Sequence, residues 1–541
     1  MPLLRKLLIL SHRYIGIPLS FLFVLWFVSA FVMIYAGGMP RITPAMRLAG
    51  AGVLDFVRVQ ISAAKAASIA GISPTTASLR MVLGRPVYDF AEAGFSTRVF
   101  ADDGAVLADL SLAQAQQVGA DFLSMPVSAL HYQATLTEAD QWTLTQRNDL
   151  PLYKFAVADE LDTEIYVAPG QAAVSVYTTD RSRLLAWLGT IPHWLYFTSL
   201  RLNQPLWYEF VVWSAGIGCV LAVLGLMLGV TQFRRIRPFS LWRSLPYRGG
   251  MRWHYLLGLI FGVFTLTWVF SGLLSMEPFA WTRARGLEVD PEVYTRGELD
   301  LAAFPNPQGQ NWSELVPGEI KTVEFIWIQG RAHYLLNYVP HNLVPDNLGH
   351  SPMPSLANQT DGQVEHAHAG EIAERKRERL HQPYPIDGQA QADSLLLDAA
   401  SFTVQPVFDS ALLASQLDEA APTAKVSAYE LLRDYDDYYY SRANQLPLPV
   451  LRIKFDDPAA SWFYVDPRQS RILAMAHRWS RLERWLYNGL HSLDFAFWYH
   501  RRPLWDIAVL FLLFGGLAGS VTGLYFGLRR VQRDLSGLLA K

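Results

Sequence analysis

The chain contains fewer cysteines and fewer charged residues than most soluble enzymes. Cys219 is the only cysteine among 541 residues, which excludes a disulfide framework and any zinc or iron–sulfur site built from several thiolates. Charged residues make up 17% of the chain and hydrophobic residues 51%, a balance too apolar for an ordinary soluble protein. No nucleophilic triad or pair of catalytic carboxylates stands out. The composition therefore favours a membrane protein.

The apolar residues are concentrated in four blocks, each close to the ~20 residues that cross ~30 Å of hydrocarbon. The first block exceeds the core of about 7–15 residues expected in a signal peptide, and no convincing cleavage site follows it, so we expect an uncleaved helix. We predict four transmembrane helices. The blocks are approximately Tyr14–Tyr35, Tyr208–Val230, Tyr255–Met276 and Trp505–Leu528.

Basic residues are distributed unevenly, although the net charge is only −2. The link between the second and third blocks carries six arginines and no acidic residue, and both termini are basic. Because short basic loops remain in the cytoplasm, we expect the termini and this link inside, and the long segments after helices one and three outside the membrane. The link is interpreted as a topology signal and not as a nucleic-acid site. Its arginines are Arg234, Arg235, Arg237, Arg243, Arg248 and Arg252.

The two halves of the chain repeat each other at constant spacing. The stretch around His193 recurs around His491 at an offset of 298 residues, and the stretch around His12 recurs around His254 at an offset of 242. We interpret this pattern as a tandem duplication. Further pairs are Trp187 with Trp485, Trp207 with Trp505, Gly218 with Gly516, Gly225 with Gly523, Gly16 with Gly258, Trp26 with Trp268, and Ser29 with Ser271.

The predicted fold is an α-helical membrane protein with four transmembrane helices in two tandem repeats, plus two periplasmic α+β modules. The boundaries are helix one at 1–36, module one at 37–207, helix two at 208–231, a basic cytoplasmic loop at 232–253, helix three at 254–276, module two at 277–504 with a long loop at 340–391, helix four at 505–528 and a cytoplasmic tail at 529–541.

Periodicity and turn residues predict the elements of the modules. In the first module these are a helix at Ile61–Ala70, strands at Ser78–Phe90 and Ser96–Phe100, a helix at Ser111–Phe122, and a hairpin of Pro151–Ala158 with Thr163–Ala168. In the second they are a strand pair at Ile320–Trp327 and His333–Val339, a helix at Ala428–Asp434 and a strand at Val450–Phe455.

One known family shows a similar order of features. The order begins with a helix and two strands that carry an Asp-Asp-Gly-Ala turn. A strand ending in Tyr-Val-x-Pro follows. After it come Arg-x-x-x-Trp-Leu and a histidine before a membrane helix. This order resembles the PepSY-associated transmembrane family across both halves, as do Asp434–Arg442 and Leu446–Arg452. The resemblance implies an inner-membrane protein linked to iron uptake with PepSY-like modules. Some members of that family are haem-containing ferric-siderophore reductases.

The matched histidines indicate where a cofactor would bind. His12 and His254 fall at the cytoplasmic ends of helices one and three, whereas His193 and His491 precede the outer ends of helices two and four. If the halves pack around a pseudo-two-fold axis along the membrane normal, His12 faces His254 and His193 faces His491. Paired neutral imidazoles suit the iron of a b-type haem, so two haems are expected. Interfacial histidines of an aromatic belt remain the alternative.

Neighbouring residues favour haem over a bare metal ion, which would need further protein ligands. Gly16 and Gly258 stand four residues after the inner histidines on the same helix face, where they leave room for a flat macrocycle, although close helix contact explains them equally well. Arg13 and Arg252 are candidate partners of the haem propionates, as are Arg248 on the inner side and Arg481, Arg484, Arg501 and Arg502 on the outer side.

Two haems at opposite surfaces predict electron transfer to an acceptor outside the membrane. The family resemblance implies a ferric siderophore as acceptor, since reduction to Fe(II) weakens binding by hard oxygen ligands. No Gly-rich dinucleotide motif lies on the cytoplasmic side, so a quinol or a separate cytoplasmic reductase is the expected donor. The alternatives are a non-enzymatic membrane protein that binds a peptide, protease or transport partner, and a siderophore or metal permease, which the lack of intramembrane carboxylates disfavours.

Other histidines and one run of tyrosines carry less weight as candidate site residues. His477 and His500 flank His491 and are alternative outer ligands. His366 and His368 lie in a polar loop, where alternating histidines are more often solvated surface than a metal site. The run Tyr438–Tyr440 is expected to pack within the second module, with the lining of an acceptor site as the alternative.

Overall fold

The computed structural model describes residues 2–92, 94–234, 237, 240–281, 286–341, 393–441 and 446–539. The predicted loop at 340–391, with His366 and His368, therefore lies outside the described residues except for Pro340 and His341.

Among the described residues, four helices are long and apolar enough to span a membrane. They are α1 (Pro2–Ala36), α8 (Gln204–Gln232), α10 (Gly250–Ser275) and α16 (Leu504–Leu539). The start of α8 precedes the predicted position because the Asn203 side chain caps it and Pro205 fits the first helical turn. The last helix continues through most of the residues assigned to the C-terminal tail.

The shorter helices connect these spans to the sheets. They are α2 (Pro44–Ala49), α3 (Ala63–Ala70), α4 (Leu112–Leu123), α5 (Asp180–Leu188), α6 (Thr190–Trp194), α7 (Thr198–Arg201), α9 (Leu241–Ser244), α11 (Pro291–Thr295), α12 (Ser410–Ala420), α13 (Arg478–Arg484), α14 (Leu490–Ser492) and α15 (Ala496–Tyr499). A π-helical turn, Trp485–Gly489, joins α13 to α14.

The four long helices form a bundle in which α1 and α10 each contact both α8 and α16. Glycines allow this close approach. A Cβ at Gly218 would lie 3.2 Å from the Phe23 ring and 3.1 Å from Val269, and a Cβ at Gly516 would overlap the Phe27 ring. Small residues at such contacts let helix backbones approach within van der Waals distance.

The described strands form three antiparallel sheets. Their strands are β1 (Thr76–Val82), β2 (Arg85–Glu92), β3 (Phe95–Phe100), β4 (Leu130–Leu136), β5 (Leu152–Val157), β6 (Glu164–Ala168), β7 (Ala173–Thr178), β8 (Gly318–Ile328), β9 (Arg331–Pro340), β10 (Asp393–Asp398), β11 (Val426–Leu432), β12 (Val450–Phe455), β13 (Trp462–Asp466) and β14 (Arg471–Ala476). Their orders are β10-β9-β8-β1-β2-β3, β4-β5-β6-β7 and β11-β12-β13-β14.

The six-stranded sheet joins the two halves of the chain. Its central pair is β1 with β8, where Leu79 lies opposite Val323. Both side chains are buried in a core that includes Tyr88, Phe325 and Tyr334. The two predicted modules are therefore not independent, because pairing β1 with β8 removes two exposed sheet edges and creates one shared core.

Each four-stranded sheet belongs to one half and packs on one helix. Helix α4 lies against β4–β7, and α12 packs beside β11. At the offset of 298 residues, the buried Phe155 and Ile165 of the first sheet correspond to the buried Ile453 and Phe463 of the second. Helices and strands follow in the same order in both halves.

Two predicted elements differ from the structure. The helix predicted at Ala428–Asp434 is wrong, because Val426–Leu432 form the edge strand β11 and pair with β12. Tertiary pairing overrides the helical preference of Ala, Glu and Leu. The strand predicted at Ser78–Phe90 is two strands, since Leu83 and Gly84 adopt φ values of 52° and 69° and form a two-residue hairpin turn inside an apolar run.

The glycine contacts between helices predict unequal effects of adding a methyl group. Gly516→Ala should destabilise the protein by about 1–3 kcal/mol, because the methyl group overpacks against the Phe27 ring. Gly216→Ala is the control, since no atom lies within 4 Å of a Cβ there. Thermal unfolding in detergent measures both. Equal midpoints for the two variants would contradict the packing described for α16.

Candidate functional site

Two pairs of histidines lie inside the helix bundle, one from each half in each pair. His12 of α1 and His254 of α10 form the tail-side pair, with ring centroids 6.5 Å apart. His193 of α6 and His491 of α14 form the sheet-side pair, with ring centroids 6.1 Å apart. The structure thus brings together the histidines that the pseudo-two-fold arrangement pairs. All four rings are half-buried.

Equivalent backbone carbonyls hold the tail-side imidazoles. His12 Nδ1 lies 3.2 Å from the Leu221 carbonyl oxygen, and His254 Nδ1 lies 3.2 Å from that of Gly519. Leu221 and Gly519 are related by the offset of 298 residues. His254 has an additional partner, the Thr522 hydroxyl at 3.1 Å. Each imidazole is therefore fixed by a helix of its own half.

Glycines make room for the tail-side rings. A Cβ at Gly225 would lie 2.9 Å from His12 Cε1, and a Cβ at Gly523 would lie 3.2 Å from His254 Cε1. Real Cβ atoms rarely approach this closely, so larger residues would push both imidazoles from their positions. These glycines, which occupy equivalent positions in α8 and α16, set the distance from each histidine to its neighbouring helix.

The sheet-side pair is held in the same way by α1 and α10. His193 Nδ1 lies 3.0 Å from Ser29 Oγ, and His491 Nδ1 lies 3.0 Å from Ser271 Oγ. The carbonyl oxygens of Trp26 and Trp268 are second partners, at 3.3 and 3.2 Å. Both serines and both tryptophans are related by the offset of 242 residues.

Sharp turns bring the sheet-side histidines to the bundle. Leu195 and Leu493, which follow the histidines at equivalent positions, have φ values of 53° and 50°. Trp207 and Trp505 then donate their indole N–H groups to the carbonyls of Trp194 and Leu493, at 2.9 and 3.0 Å. These bonds fix the entry of α8 and α16 immediately after each histidine.

Burial keeps the sheet-side imidazoles neutral. It lowers the pKa of His193 to about 3, with a smaller effect from the neighbouring His491, and lowers the pKa of His491 to about 4. Neutral imidazoles whose Nδ1 is hydrogen-bonded can present Nε2 to a metal ion. Among the described residues, no hydrogen bond from Nε2 of the four histidines is present.

The spacing of each pair leaves room for one metal ion between its two imidazoles. Two imidazoles that held a metal ion between them would have centroids roughly 6.3 Å apart, given a metal–nitrogen bond of about 2 Å and about 1.1 Å from the ring nitrogen to its centroid. The observed distances are 6.5 and 6.1 Å. In the part of the chain that the structure describes, no group of three or more His, Cys, Asp or Glu side chains could hold a metal ion. A haem iron needs only two protein ligands.

The predicted neighbours of the histidines lie in different environments. A Cβ at Gly258 would meet no atom within 4 Å, whereas one at Gly16 would contact Leu221 at 3.5 Å. Arg13 is exposed. Arg252 donates from Nε to the Tyr247 carbonyl at 2.8 Å and lies over the Trp242 ring.

The alternative outer histidines make other contacts. His477 caps α13, where its Nδ1 accepts a hydrogen bond from the Ser480 amide at 3.4 Å. His500 is exposed, and its Nε2 lies 3.3 Å from the Tyr440 hydroxyl. His491 is the residue that faces His193.

Several residues of the site have no assigned role from the sequence alone. The repeat marks Ser29, Ser271, Gly225 and Gly523, but only the structure shows that they contact imidazoles. The carbonyl partners of His12 and His254 are backbone groups, so no side-chain type identifies them in the sequence. Comparison of the chain with protein-family models finds no match, and comparison with curated proteins finds none either.

A half-buried acid, Glu483, lies on the segment that leads to His491. Burial, followed by repulsion from Glu277, raises the pKa of Glu483 to about 7. Between its ordinary pKa and this value, the folded protein binds a proton that the unfolded chain releases. The free energy of unfolding should therefore fall as the pH rises from about 4.5 to about 7.

We predict that Glu483→Gln removes the fall in the free energy of unfolding that accompanies this rise in pH. The wild-type protein should lose about 1–2 kcal/mol of stability between pH 5 and pH 8 through this group, and the variant should lose less. Thermal midpoints in detergent at both pH values measure the difference, with exposed Glu138→Gln as the control. An unchanged pH dependence in Glu483→Gln would contradict the burial of this carboxyl group.

Proposed function

We propose that the chain is a duplicated di-haem b protein of the bacterial inner membrane that reduces a ferric siderophore on the periplasmic side. The observation that carries the proposal is the pair of imidazoles found twice in one bundle, with centroids 6.5 and 6.1 Å apart. An aromatic-belt role for these histidines does not account for this repeated spacing or for the four matched Nδ1 hydrogen bonds.

The duplication is supported by equivalent partners on both sides. Leu221 and Gly519 accept from the tail-side pair, and Ser29 and Ser271 contact the sheet-side pair. Positions related by a constant offset in the sequence thus perform the same task in each half. The resemblance to the PepSY-associated transmembrane family supports the same organisation.

The basic link supports an orientation of the bundle. The described strands follow the ends of α1 and α10 and precede the starts of α8 and α16, whereas the link joins the end of α8 to the start of α10. Since short basic segments remain in the cytoplasm, the tail-side pair would face the cytoplasm and the sheets the periplasm.

The two pairs are far enough apart to serve opposite surfaces. His12 and Ser29 lie on the same helix, separated by 17 residues, which corresponds to about 25 Å along its axis within a hydrocarbon core of ~30 Å. When bound, a low-spin haem at each pair supplies reversible one-electron chemistry. His12 and His254 would hold one iron atom and His193 and His491 the other.

The surrounding residues orient the ligands and keep them neutral. Hydrogen bonds to Nδ1 fix the imidazole tautomer and leave Nε2 of each ring as the nitrogen that could bind a metal ion. The described residues at the cytoplasmic end include no nucleotide-binding domain, so a membrane quinol or a separate reductase would supply the electrons.

The first prediction for this function concerns haem content. The detergent-purified protein, grown with ample haem supply, should show a low-spin b-type spectrum that dithionite reduces, with about two haems per chain by pyridine haemochrome. His12→Ala or His254→Ala should each remove the same haem, and His193→Ala or His491→Ala the other.

His500→Ala is the matched control and should retain both haems, because its side chain contacts Tyr440 and not the facing pair. A colourless protein would contradict the proposal and favour a non-enzymatic partner-binding role. Reoxidation of the reduced protein by ferric siderophore then tests the acceptor.

The second prediction concerns the hydroxyl groups beside the sheet-side pair. Ser29→Ala and Ser271→Ala should each weaken haem retention at that pair about tenfold, because second-shell partners orient the ligand. Ser520→Ala is the control, since its hydroxyl donates within its own helix to the Gly516 carbonyl at 2.9 Å. Haem loss to apomyoglobin, followed spectroscopically, measures retention. Equal loss rates in all three variants would exclude an orienting role for the two serines.

A further inference from the structure

The two halves differ sharply at one position on the surface of their four-stranded sheets. In the first half, Glu164 of β6 forms ion pairs with Lys154 at 3.0 Å and Arg183 at 3.7 Å. The Glu164 carboxylate thus lies between two cations, and Arg183 also lies 4.0 Å from Asp180. The position equivalent to Glu164 at the offset of 298 residues is Trp462 of β13.

In the second half, cations surround this tryptophan. Arg481, the counterpart of Arg183, lies 4.2 Å from the Trp462 ring centroid. Lys454 Nζ lies 4.5 Å from it, and Arg452, the counterpart of Lys154, lies at 5.2 Å. Where the first half has a carboxylate between two cations, the second half has an aromatic ring with three cations beside it.

Part of this positive charge is not neutralised. Arg452 is paired with Asp436 at 2.6 Å and Glu430 at 2.7 Å. Among the residues that the structure describes, no carboxylate lies within 4.0 Å of the cationic nitrogens of Lys454 or Arg481. Arg481 donates instead to the carbonyls of Ala460 and Ala476, at 2.8 and 3.3 Å.

The nearby acids are occupied. Asp457, whose negative charge also attracts Arg481, accepts hydrogen bonds from the amide and the hydroxyl of Ser461. Asp436 accepts a hydrogen bond from the Tyr464 hydroxyl at 2.9 Å in addition to its ion pair with Arg452. Two cations therefore remain available to an anion at this surface.

Aromatic rings lead from this surface towards the sheet-side pair. The Tyr438 ring lies 5.4 Å from Trp462, and the Trp485 indole donates to the Tyr438 hydroxyl at 3.2 Å. Trp485 begins the π-helical turn that precedes His491, and the ring of Tyr487 in that turn lies 5.3 Å from the His491 ring. We name Trp462, Tyr438, Lys454 and Arg481 the cation–aromatic face.

We propose that the cation–aromatic face binds an anionic iron(III) chelate with aromatic ligand groups, of the catecholate or phenolate class, in preference to a neutral hydroxamate chelate. This substrate class rests on the proposed function. A half-buried tryptophan provides a stacking surface for aromatic rings, and the two unpaired cations complement negative charge. In the first half, the carboxylate of Glu164 occupies the position of Trp462 and pairs with the cations Lys154 and Arg183.

The test uses gallium(III), which resembles iron(III) in charge and size but is not reduced, so that binding is measured separately from electron transfer. The probes are gallium complexes of a hexadentate tris-catecholate and of a hexadentate tris-hydroxamate, added to the full-length haem-loaded protein. Equilibrium dialysis with gallium quantification gives both dissociation constants. The catecholate complex should bind at least about tenfold more tightly, and added salt should weaken its binding.

Two variants should reduce this preference, and one matched variant should not. Lys454→Glu reverses an unpaired charge and Trp462→Glu restores the acid of the first half, so each should weaken catecholate binding about tenfold or more. Lys65→Glu makes the same charge change at an exposed position of α3 and should leave binding unchanged.

Equal affinity for the two probes, or unchanged binding in Lys454→Glu, would overturn the inference. The haem spectrum separates the two proposals. A protein with both haems but no preference for the anionic probe contradicts only the substrate class, whereas a colourless protein contradicts the proposed electron transfer.

Discussion

The structure depends on placing four imidazoles inside an apolar helix bundle. Polar groups in such a setting are costly unless they are hydrogen-bonded, and each histidine meets this requirement at Nδ1 with a helix of its own half. The other ring nitrogen has no hydrogen bond among the described residues, and the facing ring of the opposite half has its centroid at 6.5 or 6.1 Å. An iron atom between the rings would satisfy both nitrogens at once. The glycines of α8 and α16 and the turns after His193 and His491 are consequences of this arrangement.

The two halves share a framework and differ where a substrate would bind. Pairing of β1 with β8 joins them through one sheet, while α1 and α10 each contact both α8 and α16. The shared framework places equivalent histidines opposite each other. The sheet surfaces, which do not hold the histidines, are free to diverge. The first half has Glu164 paired with two cations at the position where the second half has Trp462 with three cations beside its ring.

Much of this architecture can be predicted from the sequence, because its signals are local or repeated. Runs of apolar residues mark the four long helices, and constant offsets identify which histidines correspond. The pairing of β1 with β8 has no local signal, since it joins strands more than 240 residues apart. Strand β11 was predicted as a helix because its exposed residues favour helix in isolation, and only pairing with β12 decides its conformation. The carbonyls of Leu221 and Gly519 cannot be identified from residue type, because every residue has one.

Electron paramagnetic resonance of the oxidised protein tests most directly whether each histidine pair shares one iron atom. The anisotropy of a low-spin ferric haem would depend on the angle between the planes of the two imidazoles that hold it, and the facing histidine rings are inclined by 42° in the tail-side pair and by 76° in the sheet-side pair. We predict two distinguishable low-spin signals with bis-imidazole character, of which His254→Ala removes one and His491→Ala the other. High-spin iron at both sites, or two low-spin signals that survive both substitutions, would contradict ligation by the facing pairs.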